Sequence, residues 1–199
     1  MPDNLFKYLF LIGLVVEEVI RFPHRRRQRR EWREKRMAET RMSPLDFALD
    51  MLAITGMELI PFLYVFTPWL NFADYVLPAW IGWIGVIVLA GAVWLLWRAH
   101  ADLGHNWTPT LQIKETHSLV THGVYRYIRH PIYAAVWLTG LAQVLMLPNW
   151  LAGPACLLLF LPVYLVRVPR EERMMLDHFG EAYRTYMQRT GGIFPRPGK

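Results

Sequence analysis

Long apolar runs without a charged residue dominate the chain, and they set the first expectation about its fold. Val76 to Trp97 carries no charge and is long enough for one membrane crossing, since about 20 apolar helical residues span roughly 30 Å of hydrocarbon. Pro131 to Val166 is also free of charge but too long for a single crossing. At about 1.5 Å per residue a straight helix of that length would overshoot the bilayer, so the run must fold back on itself. The reversal is expected at Leu147-Pro148-Asn149-Trp150, where Pro and Asn favour a turn and Trp suits the membrane interface. Arg129 and Arg167 then fall on the same side. Two earlier stretches are less clean: Leu45 to Leu70 contains Asp46, Asp50, Glu58 and Pro61, and Leu5 to Ile20 contains Lys7, Glu17 and Glu18. The pattern predicts an all-α integral membrane protein of about five transmembrane helices, with a helical hairpin in its C-terminal half.

Composition strengthens that expectation, because 54% hydrophobic residues and nine Trp are unusual for a soluble domain of this length. Glu17, Glu18 and the Arg-rich stretch after them lack a small-residue cleavage site, so the first apolar run reads as an anchor rather than a removed signal. The formal net charge of +6 is concentrated in Arg21 to Arg41, read here as a basic loop. That stretch has little aromatic interleaving and lies between apolar segments, so the positive-inside tendency explains it better than nucleic acid does. Asn71 to Ala79 has Asp74 as its only charge, which makes it the outer loop. Five crossings then place the N-terminus outside, with the basic stretch and Arg98 to His130 in the cytoplasm. The lone Cys156 excludes an intrachain disulfide and a cysteine-based zinc site. No linker or repeat divides the chain, so residues 1–199 read as one domain, with membrane helices over 1–100 and a polar, chemistry-bearing part over 101–199.

Chemistry concentrates where the third crossing ends. His100, His105, His117, His122 and His130 are five of the seven histidines. Their five-residue spacings do not match the i, i+3 or i, i+4 separation of a helical metal pair, and no metal is expected. From Thr121 to Tyr133 the sequence is dense in Tyr, Arg and His. Gly123 permits a turn, Tyr125, Tyr127 and Tyr133 offer ring faces, and Arg126 and Arg129 suit anions. Pro131 is placed as the first residue of a helix, leaving His130 at its N-cap. An interfacial belt of aromatic and arginine side chains accounts for the same composition. Beyond the hairpin, Pro169 with Glu171 and Glu172 predicts the start of a second, polar helix, which Gly191-Gly192 ends. A kink or fresh start at Pro169 would turn Glu172 toward Arg167, whereas an uninterrupted helix would separate them.

These residues form a larger pattern: His117-Ser118-Leu119-Val120, Gly123-Val124-Tyr125, Arg129-His130-Pro131-Ile132-Tyr133, Glu171-Glu172 and Phe179-Gly180-Glu181-Ala182-Tyr183. In order and spacing, from about Gly104 to Pro195, it resembles the isoprenylcysteine carboxyl methyltransferase family in a compact, prokaryotic-type form. The resemblance implies S-adenosylmethionine bound near the cytoplasmic membrane surface, without a Rossmann domain or a metal. It also implies that Gln112, His117, Ser118, Leu119, Val120, Tyr125, His130, Pro131, Ile132 and Tyr133 hold that cofactor. Arg167 and Glu172 would carry the catalytic work on a lipidic or prenylated acceptor, a small molecule or peptide, among membrane lipids. Phospholipid N-methylation, an NADPH-dependent sterol-type reduction and a non-enzymatic membrane scaffold or sensor are the competing functions.

Overall fold

A computed structural model describes residues 2–33, 43–104 and 118–196. Within them the chain is helical, with two isolated bridges and no sheet. Helix α1 spans Pro2–Arg33, α2 spans Pro44–Ile54 and α3 spans Ile60–Phe66, the last two joined by a π-helical turn at Thr55–Leu59. Helix α4 spans Ala79–Leu103, α5 Pro131–Met146, α6 Ala155–Phe179 and α7 Glu181–Arg189.

Two helices are long and apolar enough to cross a membrane, Pro44–Phe66 and Ala79–Leu103. On α4 the buried positions Gly82, Gly85, Leu89, Ala92, Leu96 and Ala99 recur every three or four residues, which puts them on one face. Most are small, and small residues let helix backbones approach closely where the bilayer offers no hydrophobic drive for association. A Cβ on Gly85 would lie 2.5 Å from Met146 of α5, and one on Gly82 2.5 Å from Phe6 of α1. The opposite face of α4 exposes Trp80, Trp83, Ile87, Trp94 and Trp97. Helix α1 repeats the arrangement, burying Phe6, Phe10, Leu14, Glu17 and Arg21 while exposing Ile12, Val15 and Val19. Its buried carboxylate is satisfied locally: Thr139 of α5 donates to Glu17 at 2.6 Å, and Arg21 pairs with it at 3.1 Å.

Contacts at the helix termini define two ends. At one, Phe6 packs on Trp83 and Asn149 joins the loop after α3 to the α5–α6 turn. At the other, His24 of α1 stacks on His100 of α4, and Arg167 of α6 reaches Asp50 of α2. α1, the α2–α3 segment, α4, α5 and α6 all run between these ends.

One sequence expectation holds and two change. The reversal falls where it was expected, since α5 stops at Met146 and Asn149 organises the turn. The basic stretch is not a loop as far as it is described, because α1 continues as helix to Arg33. No helix begins at Pro169. α6 runs through both Pro162 and Pro169 to Phe179, and the break comes at Gly180, whose φ of +52° ends α6 and opens α7.

Candidate active site

The second end of the bundle gathers the polar groups. Asp102, in the last turn of α4, accepts from Arg98 at 2.7 Å and from the Val124 backbone N–H at 2.9 Å. This fixes the short 3₁₀ turn Gly123–Arg126 against α4. Gly123 is needed there on two counts: its φ is +59°, and a Cβ would lie 2.0 Å from the Asp102 carboxylate. The turn buries Tyr125 against Ala99 and Val120. Pro131 then starts α5 with His130 as the preceding residue, as its ring geometry favours.

The C-terminal segment closes over this turn. The Arg129 backbone N–H donates to Gly191 O at 2.8 Å, the His130 N–H to Gly192 O at 3.1 Å, and the Gly191 N–H to Tyr127 O at 3.2 Å. Tyr186 of α7 donates its hydroxyl to Tyr125 O at 2.5 Å. Arg129 makes four hydrogen bonds. Its Nε and one terminal nitrogen donate to Glu172 Oε1 at 3.0 and 2.9 Å, and the other donates to the carbonyls of Met187 and Thr190.

His130 Nε2 lies 3.1 Å from the same Glu172 oxygen, and Nδ1 lies 3.6 Å from Glu171 Oε2. Burial works against a charged imidazole, but hydrogen bonds and negative charge from Glu171 and Glu172 outweigh it and raise the His130 pKa. Glu172 is pushed the other way, to about 2, chiefly by the His130 hydrogen bond and against the cost of burial, with further help from Arg129. Arg129 and His130 thus both engage Glu172, while Glu171 lies beside His130. Tyr133 donates its hydroxyl to Glu171 and packs beside Tyr164 at 6.1 Å between ring centres.

Arg167 sits apart from Glu172. Its terminal nitrogen donates to Asp50 at 2.6 Å and to Asp46 O at 3.3 Å, while Arg170 pairs with Asp46 at 2.9 Å. The expected Arg167–Glu172 partnership is absent because α6 is uninterrupted at Pro169, and five helical residues turn the two side chains to different faces. Arg167 approaches the cluster beside Tyr133 instead. Its Nε is buried and has no partner among the described residues.

Of the residues singled out in the sequence, Gln112 and His117 lie outside the described residues. Ser118 is exposed, Leu119 is half-buried, and Val120, Tyr125, His130 and Pro131 are buried. Ile132 packs with Val120 and Tyr125, and Tyr133 faces the carboxylates. The main omissions were Arg129 as the clamp on Glu172, Glu171 as the partner of Tyr133, and Asp50 as the partner of Arg167. Asp50 carried a usable signal, since a carboxylate inside an otherwise apolar stretch needs a partner.

Residues 83–177 match the model of the isoprenylcysteine carboxyl methyltransferase (ICMT) family. The matched region is similar to that family. It covers most of α4, His130, Glu171, Glu172 and nearly all of α6, but neither Asp46 and Asp50 nor the contacts made by residues 186–192. Among similar proteins, a protein-S-isoprenylcysteine O-methyltransferase of Tribolium castaneum is 33% identical over 118 residues, covering 58% of this chain and 42% of the relative. A probable protein-S-isoprenylcysteine O-methyltransferase of Oryza sativa subsp. indica is 31% identical, covering 58% of this chain and 61% of the relative. The human protein-S-isoprenylcysteine O-methyltransferase is 30% identical over 112 residues, covering 55% and 39%. The chain spans about half the length of these ICMT relatives. In three dimensions it resembles the eukaryotic intramembrane Ras methyltransferase ICMT, with a TM-score of 0.55 at 28% identity over 78% of this chain and 54% of that one. The fold is therefore that of an integral membrane protein.

Proposed function

We propose that this chain is an S-adenosylmethionine-dependent methyltransferase that esterifies the carboxylate of an isoprenylcysteine-like or other lipidic acceptor at the membrane surface. In this reading residues 1–199 form one membrane unit with about five crossings, and the polar end faces the cytoplasm. The acidity of Glu172 carries the choice of reaction. An amine acceptor must lose a proton, and a carboxylate held near a pKa of about 2 by His130 and Arg129 is a poor proton acceptor at neutral pH. A carboxylate acceptor is already ionised and needs a positioning cation rather than a base.

Arg167 fits that task. A guanidinium binds a carboxylate through parallel N–H donors, and the buried Nε of Arg167 has a hydrogen bond left to make among the described residues. Asp50 and Asp46 O hold one of its terminal nitrogens in place. The described residues also suit the cofactor: Glu171 and Glu172 favour a positive centre, and the rings of Tyr133 and Tyr164 lie beside them. Ser118, Leu119, Val120, Tyr125, His130, Pro131, Ile132 and Tyr133 would hold it, with Gln112 and His117 as further members. When bound, S-adenosylmethionine supplies an electrophilic methyl group on a sulfonium. The chain's own work is to orient the acceptor through Arg167, keep Glu172 ionised through Arg129 and His130, and exclude water with buried Val120 and Tyr125 and the half-buried Ile132.

Transfer of labelled methyl from S-adenosylmethionine to an S-farnesylcysteine derivative with a free carboxylate tests this reading. The expected product is a base-labile ester, absent when the acceptor carboxylate is blocked. Arg167→Lys should slow turnover roughly tenfold to a hundredfold, the effect of one charged hydrogen bond lost from a transition state. Base-stable label in phosphatidylethanolamine, with none in the farnesylated acid, would replace carboxyl with amine methylation.

A further inference from the structure

We propose that the cleft between α7 and the Gly123–Arg126 turn binds the phosphate of an anionic membrane lipid, whose chain lies in the adjoining groove between α4 and α5. The cleft encloses about 560 Å³ and collects Arg126, Arg189 and Arg196 with the hydroxyl-bearing Thr121 and Thr185. Among the described residues no Asp or Glu lines it. This is unlike the rest of the polar end, where Arg98, Arg129, Arg167, Arg170 and Arg184 each face a carboxylate within 3.0 Å. The three cleft arginines have no carboxylate partner among the described residues. Arg196 is held in place by donating to Gln188 O at 3.0 Å, next to the C-terminus of α7.

Three uncompensated guanidinium groups around one cleft raise a positive potential that an anion would relieve, and their planar forks suit phosphate oxygens. The cleft does not end at the polar surface. Arg126 and Tyr127 also line a second cavity of about 1020 Å³, walled by Trp94 of α4 and Trp137, Leu138 and Leu141 of α5. Trp94 and Leu141 are exposed on the outside of the bundle at the level of its apolar belt. A basic pocket at the surface thus continues into an apolar groove open to the bilayer, which matches the two ends of a lipid better than it matches a soluble anion. The proposal stands independently of the methyl-transfer reading, because neither Arg189 nor Arg196 belongs to the cluster around His130.

The test uses the full chain in detergent micelles, titrated with short-chain phosphatidylglycerol, short-chain phosphatidylcholine and inorganic phosphate, with bound lipid read by native mass spectrometry. Phosphatidylglycerol should bind more tightly than phosphatidylcholine. The double substitution Arg189→Gln with Arg196→Gln should weaken it roughly tenfold to a hundredfold, in line with two basic contacts to an anionic headgroup. Arg184→Gln, on the same helix but paired with Glu181, should leave it unchanged. A parent-like melting temperature of the double variant would show that it is folded. Equal binding of the two lipids, an unchanged double variant, or displacement of phosphatidylglycerol by an equal concentration of inorganic phosphate would each overturn the proposal.

Discussion

Glu172 Oε1 receives hydrogen bonds from both Arg129 and His130, so the state of one oxygen controls how the cluster holds together. His130 has a folded pKa raised above its ordinary value near 6.5, so its contribution to stability is complete below that value and is lost as pH rises through the folded pKa. Glu172 is lowered from 4.5 to about 2, so its contribution is complete above 4.5 and is lost as pH falls toward 2. Both contributions are present between those limits. The protein in micelles should therefore melt at a higher temperature near pH 6 than near pH 8.5, and the difference should shrink in His130→Gln. An identical pH slope in parent and variant would detach His130 from the ion cluster. At this scale the sequence disclosed residue types and one helix start, because Pro131 announces its own position. It could not disclose pairings, since Arg129 meets Glu172 across 43 residues and Arg167 meets Asp50 across 117. Local spacing carries no information over such separations.

The α5–α6 hairpin depends on one side chain. Asn149 is fully buried and uses both ends of its amide: Nδ2 donates to Leu70 O at 2.6 Å and to Asp74 at 2.8 Å, and Oδ1 accepts from the Leu151 and Ala152 N–H groups at 3.0 and 2.8 Å. Asn149→Ala leaves those groups without this partner, and a buried polar group left unsatisfied costs about 1–3 kcal/mol. A lower melting temperature is expected, together with faster proteolysis between residues 67 and 75. Parent-like melting would mean that the backbone pairs Trp150 N to Ala73 O and Tyr75 N to Pro148 O hold the turn alone. The hairpin was legible because an uncharged run too long for the bilayer has to reverse, and Pro148-Asn149 marks the place. The course of α6 was not. Pro169 resembles a helix start in sequence, but packing against α2 and α5 carries the helix through it, and tertiary contacts override a local preference.

For the molecule as a whole, the arrangement of basic and apolar residues bears on orientation. α1 ends in Arg25, Arg26, Arg27 and Arg30 at the same end as the His130 cluster and α7, while Trp69, Phe72, Trp80 and Trp150 are exposed at the opposite end. In a bilayer, arginines tend to be retained on the cytoplasmic side while aromatic residues collect at the interfaces, so the proposed orientation puts the arginine-rich end inside. Hydropathy alone gave five segments and a side for each. It could not show that α1 lies alongside α4, which depends on the fit of Phe6 to Gly82 and of His24 to His100. The arrangement is tested with single cysteines in a Cys156→Ala background, where the native thiol is buried and its removal leaves the surface unchanged. In right-side-out vesicles, Arg30→Cys and Gln188→Cys should resist a membrane-impermeant maleimide until the membrane is opened, whereas Trp150→Cys should react at once. Labelling of positions 30 and 188 from opposite faces would break the five-crossing arrangement, because an even number of crossings would then be impossible between them and α7 could not share a compartment with the end of α1.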